Sequence, residues 1–319
     1  MTTTVAAPFQ SESGADGKFH RQSNRFTDRI TADSQAAPGD GPDAAGRWPV
    51  EAGRYRLVVS LACPWAHRSI IDRQLLGLQD AISLAVVDPI RDERGWRFTL
   101  DPDGVDPVLG ARFLSQAYLR TDPDFSERVT VPTIIDTITR RVVSNDYPQI
   151  SLDLSTQWRR LQAPGAPELL PDAQRAEMDV LMDRIFHDVN NGVYQCGFAT
   201  GQAAYERAYM ALWNRLDLLE ERLRSRRFLM GEAITEADVR LFTTLVRFDA
   251  VYHGHFKCNR NKLTEMPSLW RYARELYSIP GFGSTVDFDH IKAHYYRTHT
   301  TINPTGIVPL GPDPAVWTR

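Results

Sequence analysis

The feature that most constrains the fold is a Cys-Pro pair placed shortly after an apolar run. The run Leu57-Val58-Val59 is typical of a buried strand, and Cys63-Pro64 follows it closely. Proline suits the first helical position, because the N–H that it lacks would be unpaired there. We therefore predict a strand over 55–59, a helix over 66–76, and the Cys63 sulfur at the amino end of that helix.

This position predicts a reactive thiol. Free backbone N–H groups and the positive end of the helix dipole favour an anion, so they stabilise the thiolate of Cys63. A redox dithiol would place a second cysteine at position 66, where this chain has Ala66. We interpret Cys196 and Cys258 as packed thiols. Cys63 therefore acts with one protein sulfur and takes its second thiol from solution; a buried small hydrophobe is the alternative.

Composition excludes several classes of function. The formal net charge of −3 indicates neither a nucleic-acid partner nor an anionic membrane surface. No apolar stretch approaches the ~18–20 residues of a membrane span, and the N-terminus lacks the apolar core of a signal peptide. Three widely spaced cysteines do not make a disulfide framework. We expect a cytoplasmic protein with reduced thiols.

The order of the elements predicts a thioredoxin-like α/β domain over 54–160. After the first strand and helix it contains a second strand at 81–86, an irregular insertion at 89–127 with a short helix at 108–119, a hairpin after Val131, and a helix from about Asp146. Pro132 directly precedes a strand, and we predict a cis peptide before it. Backbone there can pair with an extended peptide ligand, so Val131 is a candidate contact for a thiol peptide; a simple strand start is the alternative.

The flanking regions differ in composition. Residues 1–53 are rich in Gly, Pro, Ala, Ser and Asp, and we predict a loose N-terminal arm pinned by Phe19, Phe26 and Ile30. Residues 161–319 predict an all-α domain with an extended C-terminal tail. One of its helices carries an apolar stripe formed by Tyr205, Tyr209, Leu212, Leu216, Leu219 and Leu223. Thr235 and Asp238 form a capping box that begins another helix, and its role is structural.

A thioredoxin-like half with a lone Cys-Pro, followed by a helical half with this capping box, resembles a glutathione transferase. Longer strings are similar to the glutathionyl-hydroquinone reductases, the xi-class, omega-like transferases. These strings are CPWAHR at 63–68, GWRF at 95–98, RVTVP at 128–132, NNGVY at 190–194, YHGHFKCN at 252–259, HIKAHYY at 290–296 and INPTGIVP at 302–309. The likeness extends from about Phe19 to Pro312.

The resemblance implies a reductase that cleaves the thioether of a glutathionyl-hydroquinone. The Cys63 thiolate attacks the glutathione sulfur and forms a mixed disulfide, which a second glutathione resolves. Tyr194 gives a proton to the expelled ring. Without the surrounding NNGVY string, Tyr194 would be interpreted as a tyrosine of the helical core. Tyr252 and Tyr295 hydrogen-bond the thiolate or the substrate oxygens. The family also implies a homodimer associated through the helical half.

Two further residues are candidate ligand contacts. The resemblance implies that Trp96 covers bound glutathione; the alternative is that it anchors the loop that carries it. Arg128, next to Val131, either holds a ligand carboxylate bidentately or makes a surface ion pair. We expect no metal: the zincin glutamate is absent from His290–His294, and no fourth ligand accompanies His253, His255 and Cys258. We expect these histidines to order the loops around Tyr252 and Tyr295.

The chain departs from the family at one position. Glutathione transferases carry Glu-Ser at the helix start that holds the γ-glutamyl end, and this chain has Asp146-Tyr147. Two co-substrates are then possible: glutathione bound in an adjusted geometry, or mycothiol, which lacks a γ-glutamyl end. The abundance of arginine over lysine indicates a GC-rich genome, and this slightly favours mycothiol. Two other functions stay open: a general monothiol transferase or deglutathionylase acting through Cys63, and a non-catalytic transferase-like dimer that binds ligands.

Overall fold

The computed structural model describes Gly14 and residues 16–319. Contacts along the chain divide it into two compact units. The α/β unit is Gln22–Ala166, and the helical unit consists of Gly14, residues 16–21 and Pro167–Arg319. The predicted N-terminal arm is thus shared by the two units, and its residues 1–13 and 15 lie outside the described residues.

The α/β unit contains a four-stranded mixed sheet. Strand β3 (Tyr55–Val59) is parallel to β4 (Ile82–Val86) and antiparallel to β5 (Thr133–Asp136). Strand β5 is in turn antiparallel to β6 (Val142–Ser144), so the order across the sheet is β4-β3-β5-β6. Every side chain of β3 is buried, as expected for a strand with parallel and antiparallel neighbours and helices beside it. This is the predicted thioredoxin-like arrangement. Its elements are β1 (Arg29–Thr31), β2 (Arg47–Pro49), β3 (Tyr55–Val59), α1 (Pro64–Leu75), β4 (Ile82–Val86), α2 (Ser115–Thr121), β5 (Thr133–Asp136), β6 (Val142–Ser144) and α3 (Tyr147–Thr156).

The part of the arm within this unit is more regular than predicted. β1 and β2 form a short parallel pair, in which Ile30 lies opposite Trp48 and both side chains are buried. The Trp48 indole N–H donates to Asp28 (3.0 Å). Phe26 packs edge-on against Tyr118, with ring centroids 5.3 Å apart, so the predicted anchoring by Phe26 and Ile30 is confirmed.

The helix of the 89–127 insertion begins later than predicted. It covers Ser115–Thr121 rather than 108–119. The Asp106 carboxylate accepts the backbone N–H groups of Val108 (3.0 Å) and Leu109 (2.7 Å), which holds this stretch in a side-chain-bonded turn. Such a turn competes with helical bonding, so the helix starts only after it.

The helical unit is built from α4 to α9. Two of its helices run directly into π-helical turns, here called π1 (Phe186–Asn190) and π2 (Phe248–Tyr252). The Thr235–Asp238 capping box is confirmed at the start of α7, where the Thr235 N–H donates to Asp238 (2.8 Å). No helix within the described residues is long and apolar enough to cross a membrane. The helices are α4 (Arg175–Ile185), α5 (Gly192–Gly197), α6 (Gln202–Arg222), α7 (Glu236–Arg247), α8 (Pro267–Ser278) and α9 (Phe288–Thr298).

Candidate active site

Cys63 occupies the N-cap position of α1. Its backbone is extended (φ −76°, ψ 119°), and Pro64 is the first helical residue, as predicted. The half-buried thiol lies 3.4 Å from the carbonyl oxygen of Val131. The Val131-Pro132 peptide is cis, which confirms that prediction. The structure therefore brings the sulfur to the end of a helix and beside the backbone that precedes the cis proline.

The other two thiols are not placed for chemistry. Cys196 and Cys258 are buried in the helical unit, and all three cysteines remain thiols. Burial raises the pKa of Cys258 well above its usual value, and the adjacent Cys196 raises it further. Ala66, at the position of a second redox cysteine, is buried in α1. Cys196 and Cys258 are therefore packed side chains, as predicted.

The start of α3 carries the two residues that depart from the family. Asp146 is the N-cap, and its carboxylate accepts a hydrogen bond from the Asn24 side chain (2.9 Å). Burial raises the pKa of Asp146, although the Asn24 bond opposes this. The Tyr147 ring lies 4.8 Å from that of Trp65 on α1 and is almost fully buried. The Arg68 guanidinium lies 4.8 Å from the same Trp65 ring.

Trp96 and Arg128 lie on neighbouring segments of the α/β unit. A Cβ on Gly95 would be 3.9 Å from that of Val129, so the two segments touch. Trp96 is buried, with the Arg91 guanidinium 5.6 Å from its ring. Gln22 bonds the backbone of Arg128 on both sides: its side-chain oxygen accepts the N–H and its amide donates to the C=O (3.2 Å each).

Three predicted tyrosines meet within the helical unit. The Tyr194 and Tyr295 hydroxyls are 2.5 Å apart, and the Tyr252 and Tyr295 hydroxyls are 2.9 Å apart. Tyr252 and Tyr295 are fully buried, whereas Tyr194 is half-buried. Burial raises the pKa values of Tyr252 and Tyr295 well above the usual range, and Tyr194 adds to this. The three hydroxyls form a hydrogen-bonded chain, here called the hydroxyl chain, with the half-buried Tyr194 at its more exposed end.

Tyr252 and Tyr295 are engaged with each other and with Tyr194 through their hydroxyls. Their bonds to the thiolate or the substrate, which the resemblance implied, stay a prediction. Both π turns lie close to the tyrosines: π2 ends at Tyr252, and π1 precedes α5, which carries Tyr194. Asn190 at the end of π1 donates to the Arg240 carbonyl (2.9 Å) and fixes this turn against α7. Such π turns are frequent at functional sites.

Sequence reasoning missed one charged residue of this group. The Arg21 guanidinium lies 4.9 Å from the centre of the Tyr194 ring and donates through Nε to the Asn191 side chain (3.1 Å). Phe19, predicted only as an anchor, stacks on Tyr194 with ring centroids 6.0 Å apart. The available signal was an aromatic and an arginine two residues apart in an otherwise small-residue arm.

His255, one of the histidines considered for a metal, is engaged with other side chains. His255 Nε2 lies 3.2 Å from His299 Nδ1, and the His255 ring packs on Phe256 and Tyr296. Burial lowers the pKa of His255 to about 4, and Lys257 contributes. Within the described residues, no group of three or more His, Cys, Asp or Glu side chains is arranged to hold a metal ion.

Comparison with known proteins places this geometry in a family. A sequence model of the glutathione S-transferase C-terminal domain matches residues 202–275. The glutathionyl-hydroquinone reductase YqjG of Escherichia coli K12 is 45% identical over 298 residues, 93% of this chain and 89% of the relative. Its glutathione-bound structure superposes with a TM-score of 0.83 at 43% identity, covering 90% of this chain and 93% of that one.

Two further solved structures agree. A glutathione transferase from Gordonia bronchialis has a TM-score of 0.87 at 53% identity, covering 92% of this chain and 88% of its own. The xi-class transferase of Phanerochaete chrysosporium has a TM-score of 0.87 at 40% identity and covers 95% of both chains. The thiol at the N-cap, the cis proline and these matches over nearly the whole length lead to one conclusion: the chain belongs to the xi class of glutathione transferases, the family of the glutathionyl-hydroquinone reductases.

Proposed function

We propose that the protein reductively cleaves glutathionyl-hydroquinones with a second thiol. The Cys63 thiolate attacks the glutathione sulfur, and an S–S bond forms as the C–S bond to the ring breaks. The electron pair of that bond goes to the ring carbon, which takes a proton. A second glutathione then attacks the mixed disulfide, releases oxidised glutathione and restores the Cys63 thiolate. The sum converts one conjugate and one thiol into hydroquinone and disulfide.

The observation that carries this proposal is the placement of Cys63. A single thiol at a helix N-cap, with Ala66 where a resolving cysteine would be, suits a mixed disulfide that only an external thiol can resolve. The name of the Escherichia coli relative supports the substrate class. The neighbouring Val131 backbone supports a role in holding the peptide part of the conjugate. We extend this binding role to Trp96 and Arg128.

We propose Tyr194 as the proton donor to the expelled ring. It is the tyrosine of the hydroxyl chain that is not fully buried, so it can meet a ligand. The Tyr295 hydroxyl bonds that of Tyr194, and the Tyr252 hydroxyl bonds that of Tyr295. The raised pKa values of Tyr252 and Tyr295 keep both protonated at neutral pH, so they support Tyr194 as neutral hydroxyl groups.

We propose glutathione as the thiol, since the Escherichia coli relative was solved with glutathione bound. Asp146 would meet the γ-glutamyl ammonium with a shorter reach than glutamate, and Tyr147 replaces a small hydroxyl beside the carboxylate. Mycothiol, which lacks that end, is the competing co-substrate. Calorimetric titration of both thiols decides: binding of mycothiol without binding of glutathione would overturn the assignment. We also expect a cytoplasmic homodimer.

The decisive experiment compares two reactions of the same thiol. Thioether cleavage needs both Cys63 and a proton donor, whereas exchange with a small glutathione disulfide needs Cys63 alone. We expect Cys63→Ser to abolish both reactions. We expect Tyr194→Phe to slow thioether cleavage by about 100-fold or more, as for loss of a general acid, and to leave exchange intact.

Tyr209→Phe is the matched control, because the Tyr209 ring packs on Tyr205 and Trp213 while its hydroxyl makes no hydrogen bond to another described residue. If Tyr194→Phe leaves thioether cleavage unchanged, Tyr194 is not the proton donor. If the unaltered protein carries out disulfide exchange but no thioether cleavage, it is the general monothiol transferase instead. If Cys63→Ser retains turnover, or no adduct appears on Cys63 by mass spectrometry after exposure to the conjugate, the mechanism is wrong. Ligand binding without either reaction would point to the non-catalytic alternative.

A further inference from the structure

The short segment over residues 16–21 has a fixed course against the helical unit. The Thr200 N–H donates to the Gly17 carbonyl (3.1 Å). Gly17 has a left-handed φ of +73°, and a Cβ there would lie 3.0 Å from the backbone nitrogen of Gly201. Both the conformation and the close approach require glycine. The segment is thereby held at the start of α6, which brings Phe19 and Arg21 onto Tyr194.

Arg21 is oriented by three contacts. Its guanidinium carbon lies 4.9 Å from the centre of the Tyr194 ring and 5.1 Å from that of Phe19. Its Nε donates to the Asn191 side chain (3.1 Å), and Asn191 is the residue that caps the helix carrying Tyr194. The cation is therefore tied to the same helix turn as the ring it covers.

We propose that Arg21 stabilises the phenolate that Tyr194 becomes when it gives its proton to the expelled ring. This role rests on the proposed function, and it makes the N-terminal segment part of the proton-donating machinery. When the Tyr194 O–H bond breaks, its proton goes to the ring carbon that holds the C–S electron pair. The phenolate regains a proton through solvent, supplied by the thiol of the second glutathione as it attacks.

The physical reason is a difference between two protonation states. A cation over a neutral aromatic ring gains a cation–π attraction, and the attraction grows when the ring carries a full negative charge. Interactions that strengthen as charge develops accelerate the step, whereas equal binding of both states does not. Arg21 acts through Tyr194 and is a positioning residue, since its guanidinium lies over the Tyr194 ring and bonds Asn191 of the same helix turn.

Arg21 lies over the Tyr194 ring itself, whereas Arg247 opposes the rise in the pKa values of Tyr252 and Tyr295 that burial causes. Tyr252 and Tyr295 keep their protons because burial raises their pKa values, so they bring no positive charge to the phenolate. Among the described residues, several titratable or charged groups face Tyr194 or its partners: Arg21 from the segment, Tyr252 from π2, Arg247 and His255 around Tyr252, Tyr295 and His294 from α9, and His299 just after it.

The test measures both reactions of Cys63 against pH. We expect Arg21→Met to slow thioether cleavage by about tenfold and leave disulfide exchange unchanged. We expect the alkaline fall of the cleavage rate to move to higher pH, because an acid without its cation gives up its proton less readily. Arg21→Lys keeps the charge and should restore most of the rate. Lys18→Met removes an exposed charge from the same segment and should change neither reaction.

A double variant separates this role from anchoring of the segment. If Arg21 acts through Tyr194, Arg21→Met adds nothing to the defect of Tyr194→Phe. The proposal is overturned if Arg21→Met slows both reactions equally, if the alkaline limb does not move, or if the two defects multiply. If Arg21→Met fails to fold, Arg21→Lys is the variant to measure. A cleavage rate of Arg21→Lys as low as that of Tyr194→Phe would also overturn the proposal. Unchanged cleavage in Tyr194→Phe alone would instead defeat the role of Tyr194 as proton donor, and absence of thioether cleavage in the unaltered protein would defeat the proposed function.

Discussion

Tyr295 holds the middle of the hydroxyl chain, so its replacement by phenylalanine tests the chain most directly. Tyr295→Phe removes one oxygen atom and with it both hydrogen bonds, to Tyr194 and to Tyr252. Each bond contributes about 0.5–1.5 kcal/mol, and a buried hydroxyl left without its partner costs more than one in water. We expect the free energy of unfolding to fall by ~2 kcal/mol.

The two flanking variants set the scale. Tyr252→Phe removes the bond to Tyr295 and leaves Tyr295 still paired to Tyr194, so we expect a loss of ~1 kcal/mol. Tyr194→Phe removes the bond to Tyr295 from a half-buried hydroxyl and should cost less than that. The double variant Tyr252→Phe/Tyr295→Phe should cost less than the two single losses together, because it leaves no buried hydroxyl of Tyr252 behind.

Thermal unfolding followed by circular dichroism measures these differences. For a unit of this size ~2 kcal/mol corresponds to a fall in Tm of about 4–8 °C, and Tyr209→Phe should leave Tm unchanged. A fall in stability for Tyr252→Phe as large as that for Tyr295→Phe would refute the placement of Tyr295 in the middle of the hydroxyl chain. So would strictly additive losses in the double variant.

Two further outcomes follow from burial. Brief alkylation of the native protein with iodoacetamide should label Cys63 alone, because Cys196 and Cys258 are buried and the pKa of Cys258 is raised. Mass spectrometry of tryptic peptides locates the label. Labelling of Cys258 in the native protein would contradict this expectation. The pKa of His255 is lowered to about 4 by burial, so its neutral form belongs to the folded state. The contribution of neutral His255 to the free energy of unfolding is complete above pH ~6.5 and is lost as the pH falls towards 4. A His255→Gln variant should therefore show a flatter dependence of Tm on pH across that window. An unchanged slope would contradict this expectation.

Features set by neighbouring residues could be predicted from the sequence. Cys63 at the N-cap, Pro64 at the first helical position and the Thr235–Asp238 capping box each follow from steric and hydrogen-bonding rules that act within four residues. The cis peptide before Pro132 could be predicted because its place in the strand order was already known. In each case the deciding interaction is local in sequence or in topology.

The hydroxyl chain could not be predicted in its detail. Its two bonds join residues 101 and 43 positions apart, and no local rule fixes which of three tyrosines stays open to a ligand. The Arg21 bond to Asn191 spans 170 positions. The predicted start of α2 was wrong because of a local interaction rather than a distant one. The Asp106 carboxylate accepts the backbone N–H groups of Val108 and Leu109, and the helix begins only after this turn.

The π turn that ends at Tyr252 has a consequence for the evolution of this cluster. A π turn is an α-helix that has gained one residue, and each residue of an α-helix advances the chain by about 100° around the axis. The π turn absorbs its extra residue within Phe248–Tyr252, because its hydrogen bonds close over five residues instead of four. Loss of one residue there would restore regular α bonding and leave Tyr252 pointing in nearly the same direction, so the phenol cluster tolerates a length change at this turn.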